Sequence, residues 1–211
     1  MKVLLSAPRA GSSYFYEYIE AENLKLPNVK PAYKKSEFLN PDILPEKTLD
    51  QKIDWLEEER KNGTEYTFKH HINYLMLPKY DYYNNWFIDF YKNDDIIVLR
   101  RRDYWKWFLS FLFQDFHSWK TAGVMLNDNN FLKDIKNHWQ EYDFNKSIHQ
   151  FISIVKQLDK CKGHTVYYED LTYESKKYKK LSSFVDYEKY FVNIDTIKSL
   201  FHNEMNKQKI K

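Results

Sequence analysis

A short turn near the amino terminus combines residue types that bind an anion. The apolar run Val3-Leu4-Leu5 is followed by Pro8-Arg9-Ala10-Gly11-Ser12-Ser13, after which apolar residues resume with helical spacing. Backbone N–H groups in the first turn of a helix have no partner within the helix and lie at the positive end of its dipole. Gly11 lets the backbone approach an anion, the serine hydroxyls add donors and Arg9 adds a cation. The sequence predicts a strand, an anion-binding loop and a helix, with an ordinary turn as the alternative.

The same loop lacks the ending that binds a nucleoside triphosphate. In such loops a Lys after the last Gly reaches the terminal phosphates, and the next Ser or Thr holds magnesium. Here Gly11 is followed by Ser12 and Ser13, so the Lys is missing. An arginine before the glycine and two hydroxyls after it suit an anion that binds without a metal.

A second polar motif ends the alternating segment Thr64 to His71, which predicts a strand. Alternation places Lys69 and His71 on one face of that strand and His70 on the other. A cation lowers the pKa of a neighbouring histidine, which keeps the ring neutral and able to accept a proton near pH 7, so either histidine is a candidate base. Polar packing is the alternative for either histidine. No Asp, Glu or Cys stands at ligand spacing, so no metal site is predicted.

Two further strands end in polar residues. The β-branched run Asp95 to Leu99 predicts a buried parallel strand, which Arg100-Arg101-Arg102 follows. Ser110 lies about two turns along the next predicted helix, where it and an arginine fork are suited to a phosphate. A solvated basic cluster is the alternative. The strand pattern Thr165 to Tyr168 ends at Glu169-Asp170-Leu171, where a tyrosine ring can face a nucleobase.

The elements between these strands follow from helical spacing and from helix-breaking residues. The predicted helices are Tyr14 to Glu22 with Ser12 or Ser13 as its cap, Leu49 to Lys61 ending at Asn62-Gly63, part of Trp86 to Tyr91, Asp103 to Lys120, and Phe131 to Leu158. Prolines predict an irregular excursion at about 26–48, and a basic tail is expected at about 204–211. Strands alternating with helices indicate an α/β fold of three layers, in which a parallel sheet is the central layer. Such sheets bind ligands at the carboxyl ends of their strands, where each motif lies.

Bulk composition narrows the class of protein. A chain of 211 residues is long enough for one domain and short for two, so we expect a single domain. The formal charge of +3 is too small to indicate a nucleic-acid partner. Cys161 is the single cysteine, which excludes an internal disulfide and suits a cytoplasmic location. No segment has the length of a membrane span.

Taken together, the four motifs resemble those of the sulfotransferases that use 3′-phosphoadenosine 5′-phosphosulfate, and most of all the small bacterial and phage members. Pro8 to Tyr14 is similar to the family's 5′-phosphosulfate loop, and Lys69-His70-His71 is similar to its Lys-Thr-His strand. Arg102 with Ser110 matches its 3′-phosphate pair, and Tyr168 to Leu171 resembles its Tyr-Glu-Asp-Leu segment. The resemblance implies a P-loop-like topology. It also implies metal-free transfer of a sulfuryl group to a hydroxyl of a carbohydrate or small metabolite, with adenosine 3′,5′-bisphosphate as product.

The resemblance also implies a role for each matching residue. The 5′-phosphosulfate contacts fall to the loop, namely Arg9, Ala10, Gly11, Ser12 and Ser13. Tyr14 and Tyr168 are the implied adenine contacts. Arg102 with Ser110 is the implied 3′-phosphate pair, and the triple arginine leaves Arg101 open as the alternative. The family's Arg-Lys-Gly segment has no counterpart, and Lys207, Lys209 and Lys211 are candidate substitutes.

The implied catalytic residues are His71 as general base and Lys69 as the cation that stabilises charge on the transferring group or on the leaving phosphate. Glu37 is a rival base, because its context Lys35 to Leu39 is similar to that of a glutamate in the bacterial branch. Two other functions stay open. One is a nucleotide kinase-like phosphotransferase, and the other is a non-catalytic protein that binds adenosine bisphosphate. The acceptor and the oligomeric state are open as well.

Overall fold

A parallel sheet of four strands is the centre of an α/β fold, as the sequence predicted. In chain order the strands are β1 (Lys2–Ser6), β2 (Val29–Pro31), β3 (Glu65–Thr67), β4 (Lys69–His71), β5 (Asp95–Arg100) and β6 (His164–Tyr167). The central sheet has the order β4-β1-β5-β6, and each of its pairs is parallel. Strands β2 and β3 form a separate parallel pair.

The computed structural model describes most, but not all, of the chain. The described residues are 2–7, 10–23, 29–31, 44–67, 69–71, 89–90, 92–116, 142–171 and 187–210, together with Lys25, Leu39 and Trp139. Contacts divide the chain into two compact units, one of Met1–Arg100 with Gln157–Lys180 and one of Arg101–Lys156 with Leu181–Lys211. The expectation of a single domain stays a prediction.

The register of the central sheet brings the ends of its strands to one edge. The side chains of β1 and β5 are buried from Val3 to Leu5 and from Ile96 to Leu99, as expected for apolar strands inside a parallel sheet. Ser6 lies opposite His71 on β4 and opposite Leu99 on β5. Arg100 lies opposite Tyr167 on β6. All four carboxyl ends therefore lie side by side.

The prediction of one strand from Thr64 to His71 was wrong. The segment forms two strands in different sheets, because β3 pairs with β2 while β4 pairs with β1. Phe68, between them, lies outside the described residues. Alternation along the sequence cannot reveal such a change of partner, since it reports burial and not which strand is adjacent.

Five helices of the described chain are α1 (Ser12–Asn23), α2 (Leu49–Lys61), α3 (Tyr104–Phe116), α4 (Phe144–Lys160) and α5 (Ile194–Lys207). Short 3₁₀ helices occupy Tyr168–Asp170 and Glu188–Tyr190. The bounds of α2 are those predicted, and the predicted helix after Asp103 is confirmed as far as Phe116. Of the segment Trp86 to Tyr91, Asp89 and Phe90 are helical and the rest lies outside the described residues.

Two predicted helix boundaries need correction. Helix α1 begins at Ser12, so Ser12 and Ser13 lie inside its first turn and do not precede it. The expected helix from Phe131 to Leu158 is interrupted at Tyr142 and Asp143, where the Asp143 carboxylate accepts a hydrogen bond from the Lys146 N–H at 3.1 Å and starts α4. Aspartate at this position competes with helix continuation, because its side chain satisfies an N–H that the helix leaves open.

Two segments expected to be irregular contain regular structure. Strand β2 lies within the predicted excursion at about 26–48, most of which lies outside the described residues. Helix α5 extends to Lys207 and so includes the start of the predicted tail. The Lys207 ammonium lies 2.5 Å from the Glu204 carboxylate, an i to i+3 ion pair that favours the last turn.

Aromatic side chains fill the core of the second unit. Phe108 of α3 stacks on Phe201 of α5 at 4.9 Å between ring centroids, and its ring meets Phe151 of α4 at 5.5 Å. The Trp107 ring packs edge-on against Phe151 at 5.3 Å. Much of the aromatic content of the chain therefore has a packing role in this unit.

Candidate functional site

A tight turn joins β1 to α1 at the centre of the sheet edge. Gly11 has a φ of +90°, and its carbonyl accepts hydrogen bonds from the N–H groups of Tyr14 at 3.1 Å and Phe15 at 3.2 Å. The Ala10 N–H donates to the Ala7 carbonyl at 3.3 Å, which closes the turn. The amino end of α1, with the buried side chain of Ser12, therefore lies directly after the carboxyl end of β1. This is the strand, loop and helix arrangement that suits an anion.

The ring of Tyr168 lies against this turn. A Cβ atom built on Gly11 would overlap Cδ2 and Cε2 of Tyr168 and lie 3.1 Å from its Cγ. The same ring packs edge-on against Tyr14, with 5.9 Å between centroids and 76° between planes. Both rings are buried, and Tyr168 is only 4% exposed. Two residues that the sequence assigned to adenine are therefore in contact with each other and with the loop.

Strand β4 places its polar residues beside the end of β1. Leu4 lies opposite Lys69 and Ser6 lies opposite His71. Lys69 and His70 are both buried, although the chain changes sheet just before them. Ser6 is also fully buried, and its hydroxyl has no hydrogen-bond partner among the described residues. A buried hydroxyl without a partner is unfavourable, which sets Ser6 apart from the other residues of β1.

A hydrogen bond that the sequence did not reveal ties α1 to the strand leading into β4. The buried Tyr16 hydroxyl donates to the Thr67 carbonyl at 2.8 Å. Burial, with the nearby Glu20 carboxylate as a smaller cause, raises the pKa of Tyr16 well above its usual range, so the hydroxyl stays protonated. This hydrogen bond attaches α1, which begins at the loop, to the Thr67 carbonyl, two residues before Lys69. Nothing in the local pattern around Tyr16 distinguishes it from an ordinary apolar position.

The three arginines after Leu99 have different surroundings. Arg100 pairs with the Asp159 carboxylate, Arg101 is 4% exposed, and Arg102 is exposed to solvent. Ser110, the predicted partner of Arg102, is buried inside α3. Arg101, Arg102 and Ser110 belong to the second unit, whereas the loop, β4 and Tyr168 belong to the first.

The predicted site residues therefore fall into three groups. The structure brings Ala10, Gly11, Ser12, Tyr14 and Tyr168 together at the loop, and the register places Lys69 and His71 on the adjacent strand. Arg101, Arg102 and Ser110 lie in the second unit. Arg9, Glu37 and Lys211 lie outside the described residues, as do the side chains of Ser13 and His71.

Neither metal ligation nor membrane insertion is indicated by the described residues. In that part of the chain, no three His, Cys, Asp or Glu side chains are grouped in a way that could hold a metal ion. Among the described helices, none is both long enough and apolar enough to cross a bilayer.

Comparison with known proteins finds no match: no family model, no curated protein and no solved structure matches this chain. The class that the fold defines is an α/β protein with a central parallel sheet. Any narrower conclusion depends on the arrangement of residues at the sheet edge.

Proposed function

We propose that the protein is a sulfotransferase that uses 3′-phosphoadenosine 5′-phosphosulfate as donor and a hydroxyl compound, a carbohydrate or a small metabolite, as acceptor. The observation that supports it is the register of the central sheet. That register sets Ser6 opposite His71 and Arg100 opposite Tyr167, so the loop, the Lys69–His71 strand and the Tyr168 segment follow strand ends of one parallel sheet. A parallel sheet with ligand residues at neighbouring carboxyl ends is suited to a nucleotide.

The loop supports an anionic donor without magnesium. The amino end of α1 offers backbone N–H groups to a phosphosulfate, and Gly11 adopts a φ that allows the turn to be this tight. A triphosphate loop would add a Lys and a metal-binding hydroxyl directly after the last glycine. Ser12 and Ser13 stand there instead, which favours the sulfuryl donor over a kinase-like function.

The chemistry is an in-line displacement at sulfur. The acceptor hydroxyl oxygen bonds to sulfur, the bond from sulfur to the bridging oxygen breaks, and adenosine 3′,5′-bisphosphate leaves. His71 takes the acceptor proton, with Glu37 as the rival base, and the Lys69 ammonium stabilises the charge that grows on the bridging oxygen. Most of the acceleration comes from holding the reactants in line, as in phosphoryl transfer.

A thermal-shift comparison tests the donor. A ligand present at about a hundred times its Kd stabilises the folded state by about 2.7 kcal/mol, which raises the Tm of a chain of this size by roughly 5–10 °C. We expect adenosine 3′,5′-bisphosphate to give such a shift, and ATP with magnesium to give a smaller one. A larger shift with ATP and magnesium would support the kinase-like alternative and contradict the proposal.

Two variants separate binding from transfer. Arg102→Ala should weaken adenosine 3′,5′-bisphosphate about tenfold or more while leaving adenosine 5′-monophosphate unchanged, because the latter lacks the 3′-phosphate. His71→Ala should keep the thermal shift and stop sulfuryl transfer to a panel of carbohydrate and phenolic hydroxyls. Transfer that survives in His71→Ala and is lost in Glu37→Ala would assign the base to Glu37. Tight binding with no transfer by the unaltered protein would indicate a non-catalytic binding protein.

A further inference from the structure

The contact between Tyr168 and Gly11 assigns a role to Tyr168 that differs from adenine binding. We propose that Tyr168 is a positioning residue, which holds the anion-binding loop in shape by covering Gly11 with its ring. The proposal rests on the proposed function for the identity of the ligand. The contact itself does not depend on that identity.

The position of Tyr168 in the fold explains how its ring reaches the loop. Tyr168 begins the 3₁₀ helix that follows β6, and the Leu171 N–H donates to the Tyr168 carbonyl at 3.3 Å, which closes that turn. Strand β5 separates β6 from β1, so the two backbones are roughly 10 Å apart at the usual strand spacing. The turn after β1 and the residue after β6 nevertheless meet, because the Tyr168 ring lies on Gly11. The loop is thus held by a residue far from it in sequence.

The geometry at Gly11 shows what the ring does there. A φ of +90° is accessible to glycine and strained for other residues, so the turn depends on glycine for its conformation. The Tyr168 ring occupies the place that a Cβ would take, and the Tyr14 ring of α1 packs edge-on against it. Movement of the ring would therefore release the turn and the first helical residues that follow it.

Burial argues against a free adenine platform. A base stacks on the exposed face of an aromatic ring, and the Tyr168 ring is 4% exposed. Its ring atoms Cδ2 and Cε2 meet the loop and the Tyr14 ring packs against it. The ring would have to leave both contacts to stack on a base.

Two probes distinguish positioning from stacking. The first is adenosine 3′,5′-bisphosphate, and the second is inorganic pyrophosphate, which has no adenine and resembles the 5′-phosphosulfate in charge and shape. If Tyr168 positions the loop, Tyr168→Leu should weaken both probes by a similar factor, about tenfold or more. Tyr168→Phe keeps the ring and should stay within about threefold of the unaltered protein for both. Weakening of the bisphosphate alone by Tyr168→Leu would overturn the proposal in favour of stacking.

A second experiment tests the contact through stability, with a matched control in the same chain. Gly63 also has a positive φ, +79°, but among the described residues no atom beyond its chain neighbours lies within 4 Å of a Cβ built there. Gly63→Ala therefore introduces backbone strain without a clash, whereas Gly11→Ala introduces both. We expect Gly11→Ala to lower the Tm more than Gly63→Ala does, by about 3 °C or more. In a Tyr168→Ala background this difference should shrink, because the ring that causes the clash is gone.

The outcomes separate the two proposals. If the unaltered protein binds neither probe, the proposed function fails. The positioning role of Tyr168 is then tested only by the coupling between the Tm effects of substitutions at positions 11 and 168. If Gly11→Ala does not fold by itself, folding of the double variant Gly11→Ala/Tyr168→Ala counts as coupling. Equal Tm losses from Gly11→Ala and Gly63→Ala in both backgrounds would overturn the proposed role of Tyr168.

Discussion

At the scale of single residues, the surroundings of Cys161 disfavour its thiolate form. The Cys161 thiol donates a weak hydrogen bond to the Gln157 carbonyl at 3.4 Å. Burial raises the pKa of the thiol to about 11, with Arg100 opposing the increase. The thiolate is the reactive form, so the raised pKa predicts a slow reaction of this cysteine at neutral pH.

Thiol labelling tests this conclusion. At a given pH below both pKa values, an increase from 9.0 to about 11 lowers the thiolate fraction about a hundredfold. We expect a disulfide reagent to react with the native protein at least about tenfold more slowly than with the urea-unfolded chain, after allowing for exposure. Equal rates in the two states at about pH 8 would contradict the assigned burial.

At the scale of elements, a capping box formed by Thr48 and Gln51 starts α2. The Thr48 hydroxyl accepts a hydrogen bond from the Gln51 N–H at 3.2 Å, and the Gln51 side chain accepts one from the Thr48 N–H at 2.9 Å. Each bond satisfies an N–H that the helix leaves open. The capping box explains why α2 has the bounds that its sequence predicts.

Removing the cap should destabilise the protein by a measurable amount. Thr48→Ala deletes the hydroxyl and should lower the free energy of unfolding by about 1 kcal/mol. Thr48→Ser keeps the hydroxyl and is the matched control, with an expected change of less than about 0.5 kcal/mol. Urea unfolding of the three proteins makes the comparison. Similar losses in both variants would show that the methyl group matters and the cap does not.

Local signals predicted other elements equally well, and failed where a distant partner decides the structure. Strand β5 follows from its own residues, since its apolar run is buried. The split between β3 and β4 depends on which strand is adjacent, and β1 and β2 supply that information from far away in the chain. The contact between the Tyr168 ring and Gly11 also escapes local prediction, because the two residues are far apart in the sequence.

A polar clip in the second unit joins α3, α5 and the 3₁₀ helix between them. The Trp105 indole N–H donates to the Glu188 carboxylate at 2.6 Å, and the Lys198 ammonium lies 3.2 Å from the same oxygen. The ammonium also lies 5.6 Å from the Trp105 ring centroid. The indole hydrogen bond is the main cause that lowers the pKa of Glu188. Desolvation opposes it, and Lys198 adds to it.

This clip predicts a pH-dependent contribution to stability. A lowered pKa means that the contribution is present above the unfolded-state pKa and is lost as the pH falls through the folded-state value. Glu188→Gln should therefore reduce the free energy of unfolding at about pH 7, by less than about 1 kcal/mol because the pair is half exposed, and the difference should vanish near pH 3. Trp105→Phe, which removes the indole N–H and keeps a ring, should reduce the same pH dependence. A difference that grows towards acid would contradict this account.

At the scale of the whole molecule, each compact unit is assembled from separate stretches of chain. The first unit takes β1 to β5 from residues 1–100 and β6 with Tyr168 from residues 157–180. The second unit takes its aromatic core from α3 and α4 on one stretch and α5 on another. Because β6 covers the side of β5 that faces away from β1, the sheet edge and the loop are complete only when both stretches of the first unit are present.

Truncation tests this dependence. A fragment of residues 1–100 keeps β1, β4 and β5 but exposes the backbone of β5, where β6 would pair, and loses the ring that covers Gly11. We expect the fragment to give no cooperative urea transition, whereas the full chain gives one. A peptide of residues 157–180, added to the fragment, should restore part of the strand signal in circular dichroism, and the same peptide with Tyr168→Leu should restore less. Cooperative unfolding of the fragment alone would show that β6 and Tyr168 are dispensable for the sheet that carries the loop.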